Sequence, residues 1–241
     1  MKTILLSVLF LFAIASSLQA QTKTWYVKPS ATGSGISWAN AGDLQSIING
    51  AAPGDSIFVA GGTYLPAVSF SMKEGVKIYG SFAGTETSLS QRKLATNIAA
   101  GNGSILKGNG NTVIYNNGSN LTEAAVLDGF TISGGKGSSG GYGYGGGMFN
   151  NTCSPKLGNI IFINNSATNG GGGMFNNSYS APTLTNVFFV NNSVSNGYGG
   201  GMNNNNHCSP TLTNVAFIGN TSNKPGGAME NAVSSPTLII V

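Results

Sequence analysis

The sequence predicts an all-β fold: a single-stranded right-handed parallel β-helix with a short N-terminal capping helix. Three observations carry that prediction. One phrase recurs four times, as Gly145-Gly146-Gly147-Met148, Gly171-Gly172-Gly173-Met174, Gly199-Gly200-Gly201-Met202 and Gly226-Gly227-Ala228-Met229. Its methionines stand 26, 28 and 27 residues apart, a period that belongs to stacked supersecondary units. The residues between copies also repeat in kind. Each Met is followed two places on by an Asn (Asn150, Asn176, Asn204, Asn231), later by a Pro (Pro155, Pro182, Pro210, Pro236), and two places after that by Leu157, Leu184, Leu212 or Leu238. Finally, three repeats place Asn159, Asn186 or Asn214 before a short apolar run. Each run closes with an Asn three residues after a Phe: Phe162 and Asn165, Phe189 and Asn192, Phe217 and Asn220.

These pieces are too short, and too rich in β-branched and aromatic residues, to be helices. Gly and Asn tolerate the left-handed backbone that sharp corners need. Three extended pieces and three corners make one coil, with equivalent residues stacked about 4.8 Å apart in neighbouring coils. Alternation along each piece points Met148, Met174, Met202 and Met229 inward, with the Leu column and Phe162, Phe189 and Phe217. The Asn columns read as ladders of stacked amides that satisfy the corner backbone. The same alternation turns Ile161, Phe188 and Ala216 outward, together with Ile163, Val190 and Ile218. That apolar stripe is either covered by another part of the chain or is a docking surface.

The N-terminal elements follow in order. Met1–Ala20 reads as a secretory signal peptide, with Lys2 as the positive region, Ile4–Ala15 as the apolar region and cleavage after Ser17 or Ala20. The apolar run is short for a bilayer span, so no transmembrane helix is expected after cleavage. Residues 21–124 read as a cap and first irregular coils. Trp25-Tyr26-Val27 is a first strand, and Asp43 N-caps a helix carrying Leu44, Ile47 and Ile48 on one face. Pro53-Gly54-Asp55 turns into the strand Ser56–Ala60, which Gly61-Gly62-Thr63-Tyr64 ends. Val76–Gly80 and Ala125–Ser133 are further strands, and residues 81–124 read as coils with insertions. Residues 125–241 are the regular coils of about 27 residues. Pro236-Thr237-Leu238-Ile239-Ile240-Val241 begins a coil segment and stops, so the chain is expected to be a piece of a longer protein.

Composition limits the chemistry. Only 7% of the 241 residues are charged, against 37 Gly and 40% hydrophobic residues. Without Lys2, the 10 basic and 7 acidic residues leave a net charge of +3, scattered along the chain. No basic stripe exists to neutralise a phosphate backbone, so nucleic acid is not an expected partner. His207 is the single histidine, which excludes a multi-histidine metal site or a His-based triad, so no metal and no cofactor are expected. His207 reads as a polar loop residue. Cys153 and Cys208 fall two coils apart, about 9.6 Å, beyond disulfide reach. Gly141-Tyr142-Gly143-Tyr144-Gly145-Gly146 matches GxGxxG, but no strand-to-helix context follows and it reads as a Gly-rich loop.

The one catalytic candidate is Asp128, the acid placed like a coil residue. Val126–Phe130 aligns with Leu184–Phe188, which puts Asp128 in the Asn186 column as a corner residue. Lys107, Lys136 and Lys156 are available bases without an accompanying acidic cluster. Phe149, Phe175, Tyr142 and Tyr144 are outward aromatics and the candidate ligand-binding residues, suited to stacking on sugar rings. Thr183 and Thr185, repeated as Thr211 and Thr213, form a small hydroxyl–methyl array that could order water or ice.

The Gly-Gly-Ala/Gly-Met and Phe-x-x-Asn phrases resemble the repeats of polymorphic outer-membrane proteins, whose motifs are GGA-(I/L/V) and FxxN. Pro182–Val187 and Pro210–Val215 look like secreted right-handed β-helix proteins of environmental bacteria. Ser37–Asn40, Ala52–Asp55, Gly62–Tyr64 and Gly80–Thr87 look like their capping region. Three of the four copies here carry Gly where the family has Ala, and the family's autotransporter barrel is absent. The resemblance implies the pectin-lyase-like fold, shared with pectate lyases, polygalacturonases, phage tailspikes and adhesins. It implies a secreted, cell-surface or outer-membrane bacterial scaffold, adhesin-like and non-catalytic in this stretch, contacting a polysaccharide or a partner surface. The alternative is a polysaccharide lyase or glycoside hydrolase. The sequence leaves the oligomeric state open.

Overall fold

The computed structural model describes residues 21–94, 103–137, 141 and 143–239. The expected signal peptide, Tyr142 and the last two residues of the chain lie outside them. The chain winds into a parallel β-solenoid of about seven turns, of the right-handed type that parallel crossovers favour.

Three parallel sheets run along the solenoid. The longest pairs Thr24–Val27, Ser56–Ala60, Lys77–Phe82, Val126–Asp128, Lys156–Ile163, Thr183–Val190, Thr211–Ile218 and Thr237–Ile239 in that order. A branch through Gly62–Tyr64, Ser104–Lys107 and Phe130–Ser133 joins it at Lys156–Ile163. The second sheet stacks Ile114–Asn117, Met148–Asn151, Met174–Asn177, Met202–Asn205 and Met229–Ala232. The third is narrow: Ser166–Ala167, Ser193–Val194 and Thr221–Ser222.

The expected columns form in register. Met148 pairs with Met174, Met174 with Met202 and Met202 with Met229, and the first three are fully buried. Leu127, Leu157, Leu184 and Leu212 continue a file that begins at Trp25 and runs through Ile57 and Ile78. The rings of Phe162, Phe189 and Phe217 stack at 4.8 and 4.9 Å with nearly parallel planes. Burying such a side chain contributes about 2 kcal/mol, so each regular coil supplies its own share of a continuous core.

The long strands bend at their middle Asn. Asn159, Asn186 and Asn214 have φ of 51°, 56° and 53°, so one eight-residue strand serves as two expected pieces with a corner inside it. The helix Leu44–Gly50 packs over the first coil, with Leu44, Ile47 and Ile48 buried. Asp43 Oδ1 caps it by accepting from the Ser46 N–H at 2.9 Å.

Three expectations need correction. Gly62–Tyr64 does not end the preceding strand; it is a strand of its own, paired with Ser104–Lys107. Ala125–Ser133 is two strands, broken at Gly129 where φ is +82°. The alignment of Asp128 was one residue out. Asp128 pairs with Gly158, and Gly158 with Thr185. The slip arose because Gly129, not an Asn, takes the left-handed corner in that coil.

Candidate functional site

The outer face of the second sheet carries a groove along the solenoid. Two depressions of about 640 and 370 Å³ meet at Tyr144, Phe175 and Asn205. Alternation builds the floor. Met148 points in, Phe149 out and Asn150 in. The outward file is therefore Tyr115, Phe149, Phe175, Asn203 and Glu230. Beside it runs the corner file Asn117, Asn151, Asn177 and Asn205. The wall comes from the segment before each glycine phrase, where Tyr144, Gly170 and Tyr198 bridge in parallel.

Two amide ladders flank the aromatic file, and they run in opposite directions. Inside the solenoid, Asn116 donates to Asn150, Asn150 to Asn176, Asn176 to Asn204 and Asn204 to Asn231, at 2.8–3.0 Å. Asn116, Asn150, Asn176 and Asn204 are fully buried. Outside, Asn205 donates to Asn177 at 3.4 Å, Asn177 to Asn151 at 2.9 Å and Asn151 to Asn117 at 2.8 Å. Opposed ladders cancel much of each other's dipole and hold the second sheet rigid from both faces.

Phe149 and Phe175 do point outward, but their ring faces are not offered to a ligand. Tyr115 stacks on Phe149 at 4.9 Å, Phe149 on Phe175 at 5.7 Å and Tyr144 on Phe175 at 4.3 Å. Phe149 is 9% exposed and Phe175 4%. The groove therefore sees aromatic edges, which carry the positive end of the ring quadrupole and face acceptor oxygens favourably.

The C-terminal half of the groove is polar. Asn203 Nδ2 donates to Glu230 Oε2 at 2.8 Å. Burial holds the Glu230 carboxyl above its ordinary value, partly offset by that hydrogen bond. Lys224 Nζ lies 5.1 Å from the centre of the Tyr198 ring, a cation–π arrangement at an exposed rim. The sequence reading missed Tyr198, Asn203, Lys224 and Glu230. Periodicity does not announce Tyr198 and Lys224, because loops of unequal length bring the wall to the floor; Asn203 and Glu230 follow Met202 and Met229 as Phe149 follows Met148, so the repeat could have found them. The reading also missed Tyr115 and Asn117, although Ile114-Tyr115-Asn116-Asn117 repeats the pattern of Met148-Phe149-Asn150-Asn151.

Asp128 stands apart from this groove, on the first sheet. Its Oδ2 accepts from Asn159 Nδ2 at 2.9 Å, and its Oδ1 lies 2.6 Å from Arg92 Nη2. The Oδ1 contact is an ion pair without good hydrogen-bond geometry. Each of the other six carboxylates is also hydrogen-bonded. Asp43 caps the helix, and Asp55 accepts from the Lys23 and Ala52 N–H groups and Trp25 Nε1. Glu74 holds Thr122, Glu86 binds the backbone of residues 83–85, Glu123 accepts from Thr183, and Glu230 holds Asn203. Lys107, Lys136 and Lys156 are exposed.

Cys153 and Cys208 are buried and not joined to each other. Ser180 lies in the coil between them, and its Oγ accepts from the Cys153 N–H at 3.0 Å. His207 stacks its ring on Tyr179 at 5.2 Å, at an exposed corner where both residues have positive φ. The apolar stripe is not covered among the described residues: Phe188 is 41% and Ile218 53% exposed. Among the described residues, no cluster of three His, Cys, Asp or Glu side chains could hold a metal ion, and no helix is long and apolar enough to cross a membrane. The chain matches no protein-family model, no curated protein and no solved structure.

Proposed function

We propose that this chain is a secreted or cell-surface β-helix scaffold that contacts glycans through the groove on its second sheet. The observation that carries the reading is the groove itself. It runs across several coils and combines aromatic edges with a file of side-chain amides, a mixture that suits the oxygens and hydroxyls of sugars. The Gly-Gly-Gly/Ala-Met and Phe-x-x-Asn phrases support a surface role through their resemblance to polymorphic outer-membrane protein repeats and to pectin-lyase-like β-helices. A lyase or hydrolase of that fold draws less support. Glycoside hydrolysis uses a pair of carboxyl groups flanking one bond, and the groove is lined by a single carboxylate, Glu230. The Thr array also draws less support, because Thr183 is tied to Glu123 and the files end at Gly158 and Ile239.

The test is to present purified protein to arrayed neutral and acidic polysaccharides and to assay the same polymers for new reducing ends and unsaturated products, with and without Ca²⁺. Binding without turnover is the expected result. Turnover would overturn the scaffold reading.

A further inference from the structure

We infer that the groove takes an uncharged, linear, β-linked glycan lying along the solenoid axis, with one sugar unit per coil. This rests on the glycan reading above and deepens it. Three features of the groove lead to it.

The spacing comes first. Asn117, Asn151, Asn177 and Asn205 sit in successive coils and repeat at about 4.8 Å. An Asn amide has two N–H donors and two acceptor lone pairs. Asn151 and Asn205 each spend one N–H on the ladder and keep one, and Asn117 keeps both. Asn177 gives its second to Ser178 Oγ. The groove thus presents a periodic row of amide oxygens, with free N–H donors at Asn117, Asn151 and Asn205. An extended peptide repeats its same-face groups at about 6.7 Å, so it falls out of step within one coil. Strand addition would also need a sheet edge, not a sheet face. A β-linked pyranose advances by close to one coil; successive units turn over, but hydroxyls on either edge both donate and accept, so each unit still meets the file.

The charge comes second. The groove holds one cation, Lys224, and one anion, Glu230, in its C-terminal half. A uronate polymer would meet Glu230, and a polyamine sugar would meet Lys224. Hydroxyl groups satisfy both, accepting from the ammonium and donating to the carboxylate.

The aromatics come third. Tyr144 and the edges of Phe149 and Phe175 line the other half, while Tyr198 leaves 41% of its surface exposed at the charged end. The edges suit the acceptor oxygens of a neutral sugar, and the exposed part of Tyr198 adds apolar surface.

The experiment is calorimetric titration of the whole chain with cello-oligosaccharides and N-acetylglucosamine oligomers of increasing length, set against oligogalacturonate and glucosamine oligomers. We expect affinity for a neutral series to rise with each added unit up to the length of the four-Asn file, then level off. It should change by less than about twofold between low and high salt, since no net charge is neutralised. Asn205→Ala, at an exposed position, should weaken the longer oligomers by about fivefold, the loss of one net hydrogen bond. Tight binding of a charged series that collapses in salt would overturn this inference and leave the glycan reading standing. So would length-independent binding of neutral sugars, or neutral binding untouched by Asn205→Ala. No binding of any series would overturn both.

Discussion

The carboxylate of Asp128 accepts a 2.9 Å hydrogen bond from Asn159 Nδ2, and this contact sets the direction of a whole ladder. Asn214 donates to Asn186 and Asn186 to Asn159, so each amide points its N–H towards the same terminus. A carboxylate can only accept, which fixes that polarity. Gly158 leaves the space that Asp128 fills, since a Cβ there would collide with Oδ2. Arg92 neutralises the charge and reaches towards the carbonyls of Gly80 and Asp128. Asp128 is thus the end stop of an amide ladder, and the acid nearest to a catalytic reading does structural work.

Asp128→Asn should therefore destabilise the protein by about 2–3 kcal/mol, because it leaves a largely buried guanidinium without its counter-ion. Glycan binding at the distant groove should be unchanged. Denaturant midpoints of the two proteins check the first statement, and titration with the neutral oligomers checks the second.

The inner ladder should be less forgiving. Asn176→Ala orphans the Nδ2 of Asn150 and the Oδ1 of Asn204 in a fully buried setting. An unsatisfied buried polar group costs about 1–3 kcal/mol, so the variant should lose roughly 2–5 kcal/mol of stability. Hydrogen exchange should locate the damage in Met148–Asn151 and Met202–Asn205, with the N-terminal helix spared, since solenoid coils interact chiefly with their neighbours.

How far the sequence disclosed these features follows from what a pattern can carry. Met148, Leu157 and Phe162 declare their columns because alternation and a fixed period decide both direction and register. Asp128 slipped by one position because Gly129 replaced the Asn that marks the corner elsewhere. The coil at Ile114–Asn117 was overlooked because Asn111-Thr112-Val113 stands where later coils have their glycines. Phe149 and Phe175 were read as outward, which they are. Their mutual stacking depends on contacts between coils, and those exist only once the register is known. Lys224 and Tyr198 meet the floor through loops whose lengths differ from coil to coil, and no periodicity announces that. Glycine at the third position of the phrase has a local cause: a Cβ on Gly173 would lie 2.6 Å from the Gly201 carbonyl.

Glu230 predicts a pH dependence. Burial raises its carboxyl above the ordinary value near 4.5, with Asn203 acting in the opposite sense. A raised acid binds its proton more tightly in the folded state. Its contribution is fully present below the unfolded value and is lost as pH rises through the folded one. Glu230→Gln keeps an acceptor for Asn203 and removes the ionisation. The stability difference between the variant and the parent should therefore shrink as pH falls from 7 towards 4. A difference that is constant across thermal melts at those pH values would contradict the assignment.

Cys208 should be inert. Burial pushes its thiol up to about 11, while hydrogen bonds with neighbouring backbone groups pull the other way. The thiolate is the reactive form, so at neutral pH a thiol reagent should label Cys208 only when the surrounding coil opens. Labelling should accelerate with denaturant in parallel with unfolding. Fast labelling of the native protein would show that the corner is open.

Gly172 supplies a steric prediction at the second glycine of the repeat. A Cβ there would stand 2.5 Å from the carbonyl oxygens of Gly200 and Ser193 and 2.7 Å from the Ser193 nitrogen. All three are backbone atoms, of Ser193 across the same coil and of Gly200 in the next, so no rotamer change can relieve the clash. Gly172→Ala should force two coils apart and cost about 3 kcal/mol or more. Gly118 provides the contrast. Its φ is +68°, but a Cβ there meets nothing within 4 Å. Gly118→Ala should cost only the left-handed backbone penalty of about 1–2 kcal/mol. Chemical denaturation of both variants separates close approach from conformational preference. Equal losses would mean that the second glycine of the repeat is not kept for the packing of coil on coil.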